Sequence, residues 1–133
     1  GMSALLDDLS IANQDQLWRR IPPQKWVMDQ RLGRLRPSSD AFSDHPDGSP
    51  MSVQIASVLR AHGLGVQHVL AGPQHKGFAL AAFTAGLARE LGQGVVRKPL
   101  PADPAHGEVF GDKPRHVRKA LARQASWVVA PGA

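Results

Sequence analysis

The chain has 133 residues, a length that predicts one domain; we expect it to span residues 2–133, because Gly1 before Met2 is typical of tag removal. A hydrophobic content of 42% beside 20% charged residues excludes a disordered chain, and no apolar run approaches the ~20 residues of a membrane span. The absence of cysteine excludes disulfides and thiolate sites and fits a cytoplasmic location, while the net charge of +5 favours an anionic partner.

The first predicted element is a short helix over residues 3–13. Ser3 can cap its start, and Asp7 and Asp8 lie in the first turn, where the helix dipole favours negative charge. Leucines at positions 5, 6 and 9 give the segment an apolar side.

Two short strands and a hairpin turn follow. Leu17 to Ile21 is predicted to form a strand, which ends at the rigid pair Pro22-Pro23. A second strand is predicted to begin at 26–28, and a hairpin turn is expected at 32–35.

The first strand contains two adjacent arginines, Arg19 and Arg20. Consecutive strand residues point to opposite faces, so one of the two is expected to face the interior or a cleft. An arginine at a cleft can hold a carboxylate or phosphate with two hydrogen bonds. The alternative is an edge strand whose arginines lie in solvent or in structural ion pairs.

Residues 37–50 predict a long loop, in which only Ala41 and Phe42 are apolar. A loop of this size within a compact domain is often functional or mobile. Ser38 and Ser39 at its start can hydrogen-bond an anion, or they can cap the turn that follows them. No Gly-x-Ser-x-Gly pattern indicates a serine nucleophile here.

The segment 51–62 fits either a strand or a helix. Val53 and Ile55 alternate as in a strand, whereas Ile55, Val58 and Leu59 share one helical face. A serine before this run and a glycine after it favour the helix, which is our prediction.

Between residue 63 and the basic tail, the pattern predicts four strands and one helix. The run 78–83 is almost continuously apolar, which is typical of a buried strand. Thr84 is expected to cap a helix that reaches Leu91, and Gly92 to end it. The remaining predicted strands lie at 66–70, 95–96 and 106–110.

His106 is a candidate for acid–base chemistry because it begins the last predicted strand between Asp103 and Glu108. A nearby carboxylate can orient its imidazole, although a histidine at a strand edge needs no such role. None of the six histidines has a partner at metal-ligand spacing, and the chain lacks phosphate-loop and dinucleotide motifs. We therefore expect no metal and no cofactor.

The tail from Lys113 to Val128 predicts one amphipathic helix over about 114–128 with a strongly basic side. Val117 and Leu121 fall on its apolar side and are expected to be buried. This basic side either attracts phosphate or carboxylate, or it is the solvated face of a packing helix. The predicted anion-binding residues are Arg115, Arg118, Lys119 and Arg123.

Two tryptophans lie beside cations. Trp18 precedes the arginine pair, and Trp127 ends the basic tail. Indole rings in these places can stack on nucleic-acid bases, or they can anchor the core of a small domain.

One set of residues resembles the order of functional groups in compact ADP-ribosyltransferase-like and NAD-consuming toxin domains: an early arginine, a later serine pair and a polar residue near the end. The match covers only those positions and includes no diagnostic motif. It implies a small enzyme with an Arg/Ser/His cleft. The matching positions are Arg19 or Arg20, Ser38 and Ser39, and His106 or Glu108.

Together the elements predict an α+β fold with a small mixed or antiparallel sheet and about three or four helices. We predict a module that binds an anionic partner, either nucleic acid or an acidic protein, through the basic tail helix. Arg31, Arg34 and Arg36 are expected to extend this surface. The alternatives are the small enzyme just described and a subunit of a larger assembly, including a homo-oligomer.

Overall fold

The computed structural model describes residues 5–133, which form an α+β fold around a six-stranded antiparallel sheet. The sheet comprises β1 Gln16–Ile21, β4 Met51–Ile55, β5 Ala79–Thr84, β6 Gly94–Arg97, β7 His106–Phe110 and β8 Ser126–Val129. The strand order is β6-β7-β4-β1-β5-β8, so β1 lies inside the sheet and is not an edge strand.

A separate two-stranded hairpin and four α-helices complete the described chain. The hairpin pairs β2 Trp26–Asp29 with β3 Arg34–Pro37, and Gly33 in its turn has a φ of 64°, which glycine adopts readily. The helices are α1 Ala56–Ala61, α2 Val66–Val69, α3 Ala85–Glu90 and α4 Arg115–Gln124. The predicted fold class, with an antiparallel sheet and four helices, is confirmed.

One face of the sheet packs against α4 and a 3₁₀ turn at Ser39–Phe42, and we call it the core face. Leu17 pairs directly with both Ile55 and Phe83, so the three side chains share this face, and all three are buried. Phe42 packs edge-on against Phe83 with ring centroids 5.8 Å apart. The long loop is therefore packed into the domain.

The opposite face, which we call the outer face, carries more polar side chains. On this face Gln54 of β4 pairs in register with Trp18 of β1 on one side and with His106 of β7 on the other. Arg20 lies on the same face and donates from Nε to the carbonyl of Val69 in α2 at 2.7 Å. The short helix α2 thus covers part of the outer face.

The predicted N-terminal helix over 3–13 is wrong for the part that the structure describes, because residues 5–13 form no helix; Ser3 lies outside the described residues. The Asp8 carboxylate accepts hydrogen bonds from the backbone N–H and the hydroxyl of Ser10, at 3.0 and 2.6 Å. Such local bonds compete with helix formation.

The same segment lies along the exposed edge of β6. Asp8 donates its N–H to the carbonyl of Val95, and Asp7 accepts the N–H of Val95 at 2.9 Å. Asp7 also pairs with Arg89 of α3 at 3.0 Å. An exposed sheet edge is prone to pair with other chains, so this cover limits pairing at β6.

The ambiguous segment 51–62 contains both elements. The predicted helix is wrong for Met51–Ile55, which is β4, and right for Ala56–Ala61, which is α1. Val53 and Ile55 both face the core from the strand, and the helical spacing of apolar residues begins at Ile55, where one element passes into the next.

The predicted strand at 66–70 is also wrong, because Val66–Val69 forms the short helix α2. Val69 is buried, and the N–H groups of Val69 and Leu70 return to Gly65 and Val66. A five-residue segment with only three apolar residues carries too little periodicity to separate a strand from a helical turn.

The basic tail helix is shorter than predicted, since α4 ends at Gln124 and β8 follows it. Tryptophan and valines favour a strand, and here they pair with β5. The prediction that Val117 and Leu121 are buried is confirmed. No helix within residues 5–133 is long and apolar enough to cross a membrane.

Candidate anion-binding groove

Three of the tail cations form a stripe along α4. Arg115, Lys119 and Arg123 are four residues apart, so they share one helix face and follow one another at ~6 Å along the axis. Within residues 5–133, none of the three forms a hydrogen bond or an ion pair through its side chain. We call them the α4 stripe.

Arg118, the fourth predicted cation, has a different neighbourhood. Its Nη1 lies 3.1 Å from Oδ1 of Asp40, and its Nε donates to the carbonyl of Lys113 at 3.2 Å. Arg118 therefore fastens the 3₁₀ turn to α4 and does not belong to the stripe.

The α4 stripe forms one wall of a groove of about 230 Å³. The other wall comes from the hairpin and the start of the long loop. Its polar residues are Arg36, Ser38 and Ser39. Apolar surface comes from Val27 of the hairpin and from Ala122 of α4. The structure thus brings Ser38 and Ser39 together with cations that are about eighty residues away in the chain.

Arg36 is held in place by groups beneath it. Its Nε lies 3.2 Å from Oδ2 of Asp29, and its Nη1 donates to the carbonyl of Pro37 at 3.0 Å. Nη2 remains as the donor group without a hydrogen-bond partner in residues 5–133. A guanidinium fixed on two sides loses less entropy when it binds an anion.

Asp29 supports this arrangement as a carboxylate. Burial opposes its ionisation, but the N–H groups of Leu32 and Arg31 donate to it at 3.2 and 3.0 Å, and Arg31 and Arg36 add positive charge. These favourable contacts outweigh burial and lower the pKa of Asp29. Asp29 therefore stays ionised and forms an ion pair with Arg36.

A second groove of about 350 Å³ adjoins the first and shares Arg36, Ala122 and Arg123 with it. It lies between the hairpin and the junction of α4 with β8. Arg31 and Arg34 lie in it, as expected for an extension of the basic surface, and it also has an apolar part. The apolar part comprises Leu32, Leu35, Ala125 and Trp127.

Arg19 is buried among backbone carbonyls. It donates from Nε to Ala41, from Nη1 to Ser52 and, at 3.5 Å, from Nη2 to Ser43. Burial, together with the charge of Arg20, lowers the pKa of Arg19 to about 10, so it remains protonated at neutral pH. Arg19 joins the long loop to the sheet, and each of its three side-chain nitrogens donates a hydrogen bond to a backbone carbonyl.

His106 lies on the outer face next to Ser52, which the sequence suggested only as a helix start and which lies within β4. Its Nδ1 is 2.7 Å from the Lys98 carbonyl, which can only accept, so Nδ1 carries the proton and the neutral ring has its lone pair on Nε2. That Nε2 lies 3.3 Å from Oγ of Ser52. His45 Nε2 approaches the same hydroxyl at 3.0 Å.

The residues of the ADP-ribosyltransferase-like pattern are divided between the groove and the two faces of the sheet. Ser38 and Ser39 line the groove beside α4. Arg19 on the core face and His106 on the outer face both contact Ser52, the first at its carbonyl and the second at its hydroxyl. No hydrogen bond joins these three positions within residues 5–133. The same part of the chain contains no group of three His, Asp or Glu residues that could hold a metal ion.

Sequence reasoning expected the arginines of residues 31–36 to extend the basic surface of α4, but it missed the grooves between the hairpin and α4 and the grouping of His45 with Ser52. The positive charge of residues 31–36 was a signal for the first, but their position depends on contacts between distant segments. No protein-family model, curated protein or solved structure matches the chain.

Proposed function

We propose that this protein binds nucleic acid through the groove between α4 and the hairpin. One observation supports this most strongly. Three cations that lack a carboxylate partner in residues 5–133 line the same groove, of about 230 Å³, as a fixed arginine and two serines. Like charges held together repel each other, and a bound polyanion relieves that repulsion.

Two features favour nucleic acid over an acidic protein. Serine hydroxyls beside arginines are typical contacts for phosphate oxygens, and the cations repeat at ~6 Å along one line, which suits an anion of regularly repeating charge. Binding of this kind reads no base sequence. A cytoplasmic location and self-association stay predictions.

The test compares two triple variants of equal net charge. Arg115→Gln/Lys119→Gln/Arg123→Gln removes the α4 stripe, whereas Arg60→Gln/Lys76→Gln/Arg97→Gln removes three exposed cations elsewhere. Affinity for a fluorescent single-stranded RNA is measured as a function of salt. We expect the stripe variant to lose most of its affinity and the slope of log K against log salt to become shallower by about 2, since each lost contact contributes ~0.7.

The control triple is expected to retain most of the affinity and the slope of the wild type. Equal losses in both variants would show attraction by net charge alone and would overturn the assignment to the groove. Binding to polyglutamate with no binding to RNA would assign the groove to acidic proteins instead.

A second candidate function, hydrolysis of small carboxylic esters, is favoured by the Ser52–His106 pair. A serine hydroxyl within reach of an imidazole that a third group orients is the arrangement of an activated nucleophile. Oγ would bond to the acyl carbon, its proton would pass to His106 Nε2 and then to the departing alcohol, and water would release the acid. Ser52 is partly exposed on the outer face.

A fluorophosphonate probe tests this candidate. Attack by Oγ forms a P–O bond and releases fluoride, so labelling of Ser52 in the wild type and its loss in His106→Gln would support the reaction. Ser57→Ala serves as the control serine variant, and absence of labelling in the folded wild type would overturn the candidate.

A further inference from the structure

We infer that the ligand of the groove is single-stranded, with the phosphate backbone along the α4 stripe and a base against Trp127 in the adjoining groove. This inference rests on the proposed function and specifies which form of nucleic acid it involves. Proteins that bind single strands combine a positively charged groove with an aromatic ring on which a base stacks.

The two grooves provide these parts side by side. The first is lined mainly by cations and hydroxyls, and the second has apolar side chains between its arginines. Because Arg36, Ala122 and Arg123 belong to both, a chain of nucleotides can pass from one to the other without leaving the surface. A duplex keeps its base faces stacked inside and could not use the second groove.

Trp127 is positioned for a stacking role. Its Nε1 donates to the Leu35 carbonyl at 3.1 Å, which fixes the ring relative to the hairpin. The side chain is half-buried and still lines the cavity of about 350 Å³. Leu32 is 54% exposed and stands on the hairpin side of the same cavity, where it adds apolar surface for a base.

The cations around the second groove fit the same ligand. Arg31 and Arg34 extend the positive surface past Arg36, and in residues 5–133 neither side chain has a salt-bridge partner within 4.0 Å. The one acid that lines the cavity, Asp29, is already bonded to Arg36 and to the N–H groups of the hairpin turn. The apolar surface is thus bordered by cations available to flanking phosphates.

The experiment compares three probes of the same length on the wild-type protein: oligo(dT) of 12 units, its duplex with oligo(dA), and a 12-unit abasic deoxyribose-phosphate chain. A stacked base contributes about 5- to 150-fold in affinity, so oligo(dT) should bind more tightly than the abasic chain by that factor. It should also bind more tightly than the duplex, despite the higher charge of the duplex.

Tryptophan fluorescence identifies the stacking ring. Oligo(dT) should quench the wild type and the Trp18→Phe variant, whose missing indole belongs to the outer face, but quenching should be largely lost in Trp127→Phe. If Trp127→Phe fails to fold, the comparison of oligo(dT) with the abasic chain in the wild type still decides the question.

The outcomes separate this inference from the proposed function. Equal affinity for oligo(dT) and the abasic chain, both dependent on the α4 stripe, would overturn the role of the base and leave the proposed function standing. Equal quenching in Trp127→Phe and the wild type would overturn the role of Trp127. Absence of binding to all three probes would overturn the proposed function itself.

Discussion

Lys113 and Asp44 form an ion pair in which Nζ lies 2.6 Å from Oδ1, and this pair fastens the segment before α4 to the long loop. The Lys113 side chain is only 4% exposed, and its Nζ also donates to the carbonyls of Val109 and Gly111. The position of the groove therefore depends on a buried charge.

The first prediction concerns this pair. Asp44→Ala leaves the buried ammonium of Lys113 without a counter-charge and should cost about 2 kcal/mol or more, since loss of one partner is worse than loss of both. Asp44→Ala/Lys113→Met should recover part of that cost. Urea unfolding of the two single variants and the double variant measures the coupling, and strictly additive effects would contradict it.

The second prediction concerns Arg19. Arg19→Lys keeps the charge but cannot reach the carbonyls of Ala41 and Ser52 together, so buried acceptors lose their donors. We expect a loss of about 1–3 kcal/mol in the free energy of unfolding. Arg60→Lys, at an exposed site in α1, is the matched control and should change little. A neutral effect at Arg19 would show that the loop is held by its other contacts.

The third prediction concerns the packing of α4. Leu121 is fully buried, so Leu121→Ala should reduce the free energy of unfolding by about 2–5 kcal/mol. Denaturant titration measures the loss, and nucleic-acid affinity should survive wherever the variant remains folded. A cost below about 1 kcal/mol would place Leu121 outside the cooperative core.

The fourth prediction is a pH dependence from Asp29. Its folded pKa is lowered, so the unfolded state binds the proton more readily and the carboxylate stabilises the fold above the unfolded value of ~3.9. That stabilisation is lost as pH falls through the folded pKa. Asp29→Asn should be less stable at neutral pH and should lose less on acidification.

Thermal unfolding midpoints between pH 7 and pH 2 test the role of Asp29. Asp8 and Asp47 also have lowered pKa values, each mainly because of hydrogen bonds from a nearby serine, but they are present in both proteins. Parallel curves for the wild type and Asp29→Asn would contradict the assignment.

The parts of the fold that sequence could predict are those that local pattern determines. The apolar run at 78–83 is stable only when it is buried inside a sheet. The side chain of Thr84 accepts a hydrogen bond from the N–H of Leu87, as expected of a helix cap. The alternation of β7 between half-buried and buried residues is equally local.

Where prediction failed, a distant partner decided the structure. Val128 continued the helical pattern of the tail, but the open edge of β5 draws residues 126–129 into a strand. Asp7 suited a helix start, yet it binds Arg89 and the N–H of Val95. Such partners are separated by tens of residues, and a pattern within a short window carries no trace of them.

The residue types of the candidate site could be predicted from the sequence, but their arrangement in space could not. The cations of α4 and the charges of 31–36 were visible in the sequence, and the structure adds that they line two adjoining grooves. Helix periodicity places Arg118 on the basic side of α4, but it does not reveal that Arg118 forms an ion pair with Asp40 of the long loop.

The strand order has a kinetic consequence. In the six-stranded sheet only β6 pairs with the strand that directly follows it in the chain, β7. The hairpin β2–β3 separates β1 from its partner β4, and β1 pairs on its other side with β5, which in turn pairs with β8. Sheets built from such distant pairings fold slowly, on the millisecond-to-second scale. During synthesis the sheet cannot be completed until residue 129 has emerged, so the wall of the groove formed by α4 is among the last parts to be secured, and newly made chains pass through a stage in which this groove is not yet formed.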